Sequence, residues 1–377
     1  MATLLPTLLL LLIFSKSFVG TLSLGVGINY GQIANNLPSP SRVSMLLGSL
    51  NISRVKLYDA DPNVLTAFAN TNIEFIIGLG NEYLQKMQDP QQSQIWIQQK
   101  VQPYLSRTRI TCITVGNEVL GGQDPQLPQY LLPAMKSMYQ ALVNLGLSSQ
   151  VYVTTAHSLQ ILKTSFPPSS GAFRDDLVQY IQPMLAFHAQ SDSPFLINAY
   201  PYFAYKNDPK NVPIEYLLFE PNSGTVDQNT NLKYDNMLYA QIDAVYAGMK
   251  ALGHTDVQVR ISETGWPSKG DADEPGATVE NAGIYNRNLL QRMQAGQGTP
   301  AHPSQKIDIY VFALFNENMK PGPTSERNYG LYYPDGSPVY NLGVQGYLPR
   351  MDYSASAKNG LCILRLFGLL LGSLLLA

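Results

Sequence analysis

Eight β-rich apolar runs separated by helix-like stretches constrain this 377-residue chain more than any other feature. The runs cover residues 25–31, 54–60, 73–80, 110–118, 150–157, 194–203, 258–266 and 306–317. Most are continuously apolar rather than alternating, as expected of strands covered on both faces. Helical periodicity lies between them, at 41–50, 62–70, 91–105, 130–145, 238–252 and 279–295. Strand–helix alternation calls for a parallel sheet. Eight strands in a chain of this length favour one closed (β/α)8 barrel, the TIM-barrel form of the α/β class, over an open doubly wound sheet. The phosphate fingerprint G-x-G-x-x-G fails after the first run, where Gly25-Val26-Gly27-Ile28-Asn29-Tyr30 ends in tyrosine, so a nucleotide-binding sheet is disfavoured. No linker or tandem repeat divides the chain. Residues 202–236, rich in proline, predict an irregular excursion over the barrel mouth after strand six.

The ends carry processing patterns. Residues 1–23 hold an apolar run from Leu8 to Phe14 followed by small residues, which reads as a secretory signal peptide cleaved after Gly20 or Ser23. Residues 354–377 pair small residues and a short polar spacer with a leucine-rich terminal tail, the pattern of a glycolipid-anchor signal. A membrane tail and a plain secreted end are the alternatives. Ser354 or Ser356 is the expected anchor-bearing residue, and 24–353 the expected catalytic domain. The reading places the protein outside the cell, on the outer leaflet of the plasma membrane.

Charge is sparse: 14% charged residues, 25 basic against 27 acidic, for a net charge of -2. No basic excess is available to neutralise a nucleic-acid backbone. Removing both ends takes away Lys16, Lys358 and Arg365 and no acid, which leaves a mildly acidic, tyrosine-rich body. Of the two cysteines, Cys112 and Cys362, the second lies in the disposable tail, so no intramolecular disulfide is expected. His157, His188, His254 and His302 show no metal-ligand spacing. Neither a metal nor another cofactor is expected. Asn51-Ile52-Ser53 is an N-glycosylation sequon at the end of the first predicted helix, which makes Asn51 a candidate acceptor.

Polar residues cluster at the C-terminal ends of the runs: Asn29, Asn117, Glu118, Asn198, Tyr200, Glu263, Asn316 and Glu317. In a barrel those ends meet at one mouth, where active sites are built. Glu118 and Glu263 each close an apolar strand, and burying a carboxylate there costs free energy unless it is paired or used. Two carboxylates across a cleft are what glycosidic cleavage needs. One protonates the leaving oxygen and the other attacks the anomeric carbon or activates water. Structural ion pairs or helix N-caps are the competing explanations. Tyr30, Tyr200 and Phe203 end strands and are candidates to stack on sugar faces, and Trp266 is a candidate floor of the same subsite. Asn117 is placed to bond a sugar 2-hydroxyl.

The motifs Gly27-Ile28-Asn29-Tyr30-Gly31, Val55-Lys56-Leu57-Tyr58-Asp59, Val115-Gly116-Asn117-Glu118, Ser262-Glu263-Thr264-Gly265-Trp266-Pro267 and Phe312-Ala313-Leu314-Phe315-Asn316-Glu317-Asn318 occur in this order. Together they resemble the plant members of glycoside hydrolase family 17, the endo-1,3-β-glucanases. The resemblance runs from residue 25 to about residue 345. It implies a retaining mechanism with Glu118 as general acid/base and Glu263 as nucleophile, the carboxyls roughly 5–5.5 Å apart and the pKa of Glu118 the higher. It also implies that Phe315, Glu317, Lys320 and Glu326 contact substrate, with the lysine holding a neighbouring carboxylate charged. The implied substrate is a neutral 1,3-β-glucan such as callose or fungal wall glucan, cleaved by a monomer in the cell wall or at plasmodesmata. Mixed-linkage glucanase, glucan transglycosylase and a non-catalytic glucan-binding wall protein are the alternatives.

Overall fold

The computed structural model describes residues 26–343. The expected signal peptide, the expected anchor tail with Ser354 and Ser356, and Cys362 lie outside the described residues. Eight parallel strands close into a barrel: β1 (Gly27–Asn29), β2 (Arg54–Lys56), β3 (Glu74–Leu79), β4 (Arg109–Asn117), β5 (Tyr152–Ser158), β6 (Phe195–Asn198), β7 (Val259–Thr264) and β8 (Ile309–Val311). Each strand pairs with its neighbours in sequence, and β1 pairs with β8 to complete the ring. This is the predicted (β/α)8 barrel.

Among the described residues one main helix crosses each connection between consecutive strands: α1 (Pro40–Ser49), α2 (Pro62–Ala67), α3 (Pro90–Lys100), α4 (Leu127–Asn144), α5 (Val178–Ser191), α6 (Met237–Ala251) and α7 (Val279–Ala295). Their starts are written in the sequence. Asp61 and Asp89 each cap a helix whose first residue is proline, accepting from Asn63 N and Gln91 N. Asn236 and Thr278 cap α6 and α7 in the same way. Such caps satisfy backbone donors that the helix itself leaves open. Helix α5 is the one connector not expected from the sequence, and Pro183 lies on its exposed face.

Two sequence expectations change. The excursion over 202–236 is ordered: it contains the helix Pro201–Asn207, the short helix Ile214–Leu217, and an antiparallel pair of Thr225–Val226 with Lys233–Tyr234. Asp227 fastens that hairpin to the loop after β5 by accepting from the backbone and hydroxyl of Ser169. The eighth apolar run, 306–317, yields only three strand residues. Beyond Val311 alternate donors reach the ends of the two flanking strands, Phe312 N to Thr264 O and Leu314 N to Asn29 O, while Ala313 N bonds Tyr329 O. Its carbonyls accept from Leu331 and Tyr332. The segment is therefore clamped between strand ends and a returning chain, and apolar because it is buried, not because it extends the sheet.

Candidate active site

The C-terminal rim of the barrel collects Asn29, Lys56, Asn117, Asn198 and Glu263, each at or next to the last residue of its strand. They lie in or beneath a cleft of about 1040 Å³ lined by Glu118, Glu263, Tyr200, Glu317, Lys320 and Glu326, among others.

Glu263 is 6% exposed. Lys56, 1% exposed, donates to its Oε1 at 2.7 Å, and the Tyr200 hydroxyl donates to Oε2 at 2.9 Å. Tyr58 adds a further hydroxyl contact and is itself held by Asn29, whose amide donates to Tyr58 Oη at 2.9 Å and to Ser262 O at 3.0 Å. Burial alone would raise the Glu263 carboxyl. The charge and hydrogen bond of Lys56, with Tyr58 and the more distant Lys320, outweigh it and hold Glu263 below the usual range. Glu263 is thus kept as a carboxylate.

Glu118 follows β4 and takes left-handed backbone angles, φ 54°, uncommon for a residue with a side chain. Gly116, two residues earlier, has φ 71°, and a Cβ there would lie 2.8 Å from Val119 Cγ2. Asn81 grips the same strand end by accepting from Asn117 N at 2.8 Å and donating to Asn117 O at 3.0 Å. Asn198 then spans the cleft floor. Its amide donates to Glu118 Oε1 at 2.8 Å and to Asn117 Oδ1 at 3.3 Å, and its oxygen accepts from Ser262 Oγ at 2.5 Å. Burial, followed by the charge of Glu263, raises Glu118 above the usual carboxyl range despite the Asn198 hydrogen bond. The two glutamates are pushed in opposite directions by their surroundings.

Glu317 is 3% exposed and raised by burial; its Oε1 accepts from Ile33 N at 2.7 Å. A Cβ on Gly31 would meet that carboxylate at 2.5 Å, which explains glycine after Tyr30. Glu326 is also raised by burial, and Lys320 sits 4.5 Å over the Phe312 ring. Asn117, Tyr200 and Phe203 line the cleft as expected, Phe203 being 40% exposed.

Three aromatic expectations are corrected. Trp266 is fully buried behind the cleft, among Tyr202 and Tyr285, with Nε1 donating to Gly276 O at 2.8 Å. Tyr30 and Phe315 are each 2% exposed and meet edge to face, 6.3 Å apart. All three belong to the apolar packing under the mouth rather than to its surface. The lysine that bonds Glu263 is Lys56, while the charge of Lys320 acts on Glu263, Glu317 and Glu326 without a hydrogen bond. Sequence reasoning gave no role to Lys56, Tyr58, Asn198 or Ser262. A lysine closing an apolar strand, where an unpaired charge is not tolerated, was the available signal for Lys56. Asn51 is exposed at the end of α1, as a glycosylation acceptor would need.

A family model described as glycosyl hydrolases family 17 matches residues 26–344. Glucan endo-1,3-beta-glucosidase 14 of Arabidopsis thaliana is 64% identical over 366 residues, covering 97% of this chain and 92% of its own length. Glucan endo-1,3-beta-glucosidase 11 of the same plant is 58% identical over 339 residues, 89% and 80% of the two chains. The solved structure of a β-1,3-glucanase and allergen of Cryptomeria japonica pollen matches with a TM-score of 0.81 at 39% identity, over 85% of this chain and 99% of that one. One of two plant β-glucan endohydrolases with distinct substrate specificities matches at 0.78 and 35%, over 84% and 99%. With the matched model spanning nearly all of the described barrel, the chain belongs to glycosyl hydrolase family 17.

Proposed function

We propose that the protein is a glucan endo-1,3-β-glucosidase that cleaves by retaining double displacement, with Glu263 as nucleophile and Glu118 as general acid/base. The observation that carries this reading is that two glutamates on one cleft are driven in opposite directions, Glu263 toward its charged form by Lys56 and Glu118 toward its protonated form by burial. Pairs driven apart in this way take separate acid and base roles. In the first step a Glu263 oxygen bonds to the anomeric carbon as the glycosidic C–O bond breaks, and Glu118 passes its proton to the departing oxygen. The resulting ester carries no charge on Glu263, so Glu118 is freer to ionise. In the second step Glu118 takes a proton from water as that water attacks the anomeric carbon, and the Glu263 carboxylate reforms beside Lys56. Asn117 bonds the 2-hydroxyl, and Tyr200 and Phe203 contact sugar faces; Glu317, Lys320 and Glu326 bond hydroxyls along the cleft.

The 1,3 linkage follows from the names of the relatives, and the neutral polymer fits the charge-poor body. Laminarin, callose and mixed-linkage glucan digested in parallel by wild type and Glu263→Gln test it, with product anomers followed by NMR. The expected result is retained configuration, preference for 1,3-glucan and a variant without activity. Inverted product would overturn the mechanism. Faster cleavage of mixed-linkage glucan would overturn the linkage, oligomers longer than the substrate would indicate transfer to sugar, and binding without cleavage a wall-binding role.

The same proposal extends to processing: a signal peptide over 1–23, a catalytic domain over 24–353, and a glycolipid anchor that holds a monomer at the extracellular face, in the wall and at plasmodesmata. Release from membranes by a phosphatidylinositol-specific phospholipase is the expected outcome, and retention would count against the anchor.

A further inference from the structure

The segments that follow β6 and β8 line the cleft. A single buried carboxylate on the loop after β7 joins them. Glu274, on the loop after β7, is 4% exposed. Its Oε1 accepts from Lys206 Nζ at 2.8 Å and Ser325 Oγ at 2.5 Å, and its Oε2 from Asp271 N and Ser325 N, both at 3.0 Å. Four donors from three loops therefore saturate one anion. Asp271 adds a second tie by accepting from the backbone and hydroxyl of Thr324. Burial works against the Glu274 charge, but the Lys206 and Ser325 hydrogen bonds overcome it and hold the pKa at about 2.

Glu274 does not line the cleft, but the residues it holds do. Lys206 and Glu326, next to Ser325, both face it. The Lys206 side chain is 23% exposed, and Glu274 is its one hydrogen-bond partner among the described residues. An ammonium carries three N–H donors, so two remain for a ligand in the cleft. We propose that Glu274 is a positioning residue, and that the Lys206 ammonium it orients bonds a hydroxyl of a bound glucosyl unit away from the scissile bond. The inference rests on the glucanase reading and adds a specificity contact to it.

The test uses reducing-end-labelled β-1,3-glucohexaose, with KM, kcat and the distribution of cleavage sites measured for wild type, Lys206→Met, Lys206→Arg, Glu274→Gln and the Lys206→Met/Glu274→Gln double variant. One lost charge-assisted contact at a half-wet site raises KM about fivefold to tenfold, with a smaller fall in kcat and a shifted cleavage pattern. Arginine retains the cation and brings KM back to within about twofold of wild type. Glu274 acts on this contact through Lys206 but also holds Ser325, so the double variant should fall well short of the product of the two single effects. Wild-type KM and cleavage pattern in Lys206→Met, or multiplicative effects in the double variant, overturn the inference while the glucanase reading stands. Should Glu274→Gln fail to fold, the Lys206 pair of variants still decides the contact. A wild type that leaves the hexaose uncut removes the glucanase reading and this inference with it.

Discussion

Replacing Lys56 by methionine probes the centre of the site most directly. Methionine keeps most of the aliphatic stem but removes the cation 2.7 Å from Glu263. The pair is nearly dry, with side-chain exposures of 1% and 8%. Breaking a buried pair on one side leaves an uncompensated charge and costs about 3–5 kcal/mol. Tyr200 and Tyr58 still bond the carboxylate, which places the expected loss at the lower end of that range at pH 7. The sign of the pH effect follows from the depressed pKa of Glu263. Stability from the pair is present above the unfolded pKa and is lost as pH falls through the lower folded value. In the variant the folded value rises, so that contribution shrinks. In the proposed mechanism the acid limb of kcat/KM is set by deprotonation of Glu263, and it moves to higher pH. Urea unfolding at pH 7 and a pH–rate profile on laminarin measure the two effects. A companion variant, Lys56→Met with Glu263→Gln, removes both charges and should be more stable than Lys56→Met alone. An unmoved acid limb together with a stability loss below about 1 kcal/mol would refute the claim that this pair keeps the nucleophile charged.

Asn198→Ala removes the hydrogen bond that restrains the Glu118 pKa. The basic limb of the rate profile should then move to higher pH, with about 1–3 kcal/mol lost because Ser262 Oγ loses its acceptor. Gly116→Ala forces a Cβ against Val119 at φ 71°, and should cost about 1–3 kcal/mol in chemical denaturation while lowering kcat through Glu118. Trp266→Phe should lower stability by about 2 kcal/mol, from lost burial and the lost bond to Gly276, and leave the KM for laminarin within twofold. A large rise in KM with unchanged stability would restore Trp266 to the substrate surface.

How far the site was legible depended on how each residue acts. Glu118 and Glu263 were visible because a carboxylate ending an apolar strand is an anomaly in one dimension. Helix α5 was missed although Ile181, Met184, Leu185 and His188 keep helical spacing, and β8 was overestimated because residues 312–317 are buried by a returning segment that no local pattern reveals. The aromatics divided for a similar reason. Tyr30, Tyr200 and Trp266 all end strands, and only packing decides which ring faces the cleft.

By itself the sequence determined the barrel, the rim on which the chemistry lies and the two glutamates at its centre, since periodicity and burial cost act along the chain. The tertiary structure alone decided the roles of their neighbours. Lys56 and Glu263 are 207 residues apart, and Asn198 reaches Glu118 across 80. The charge state of a buried carboxylate depends on which donors stand within hydrogen-bond reach, and closure of the ring sets those distances.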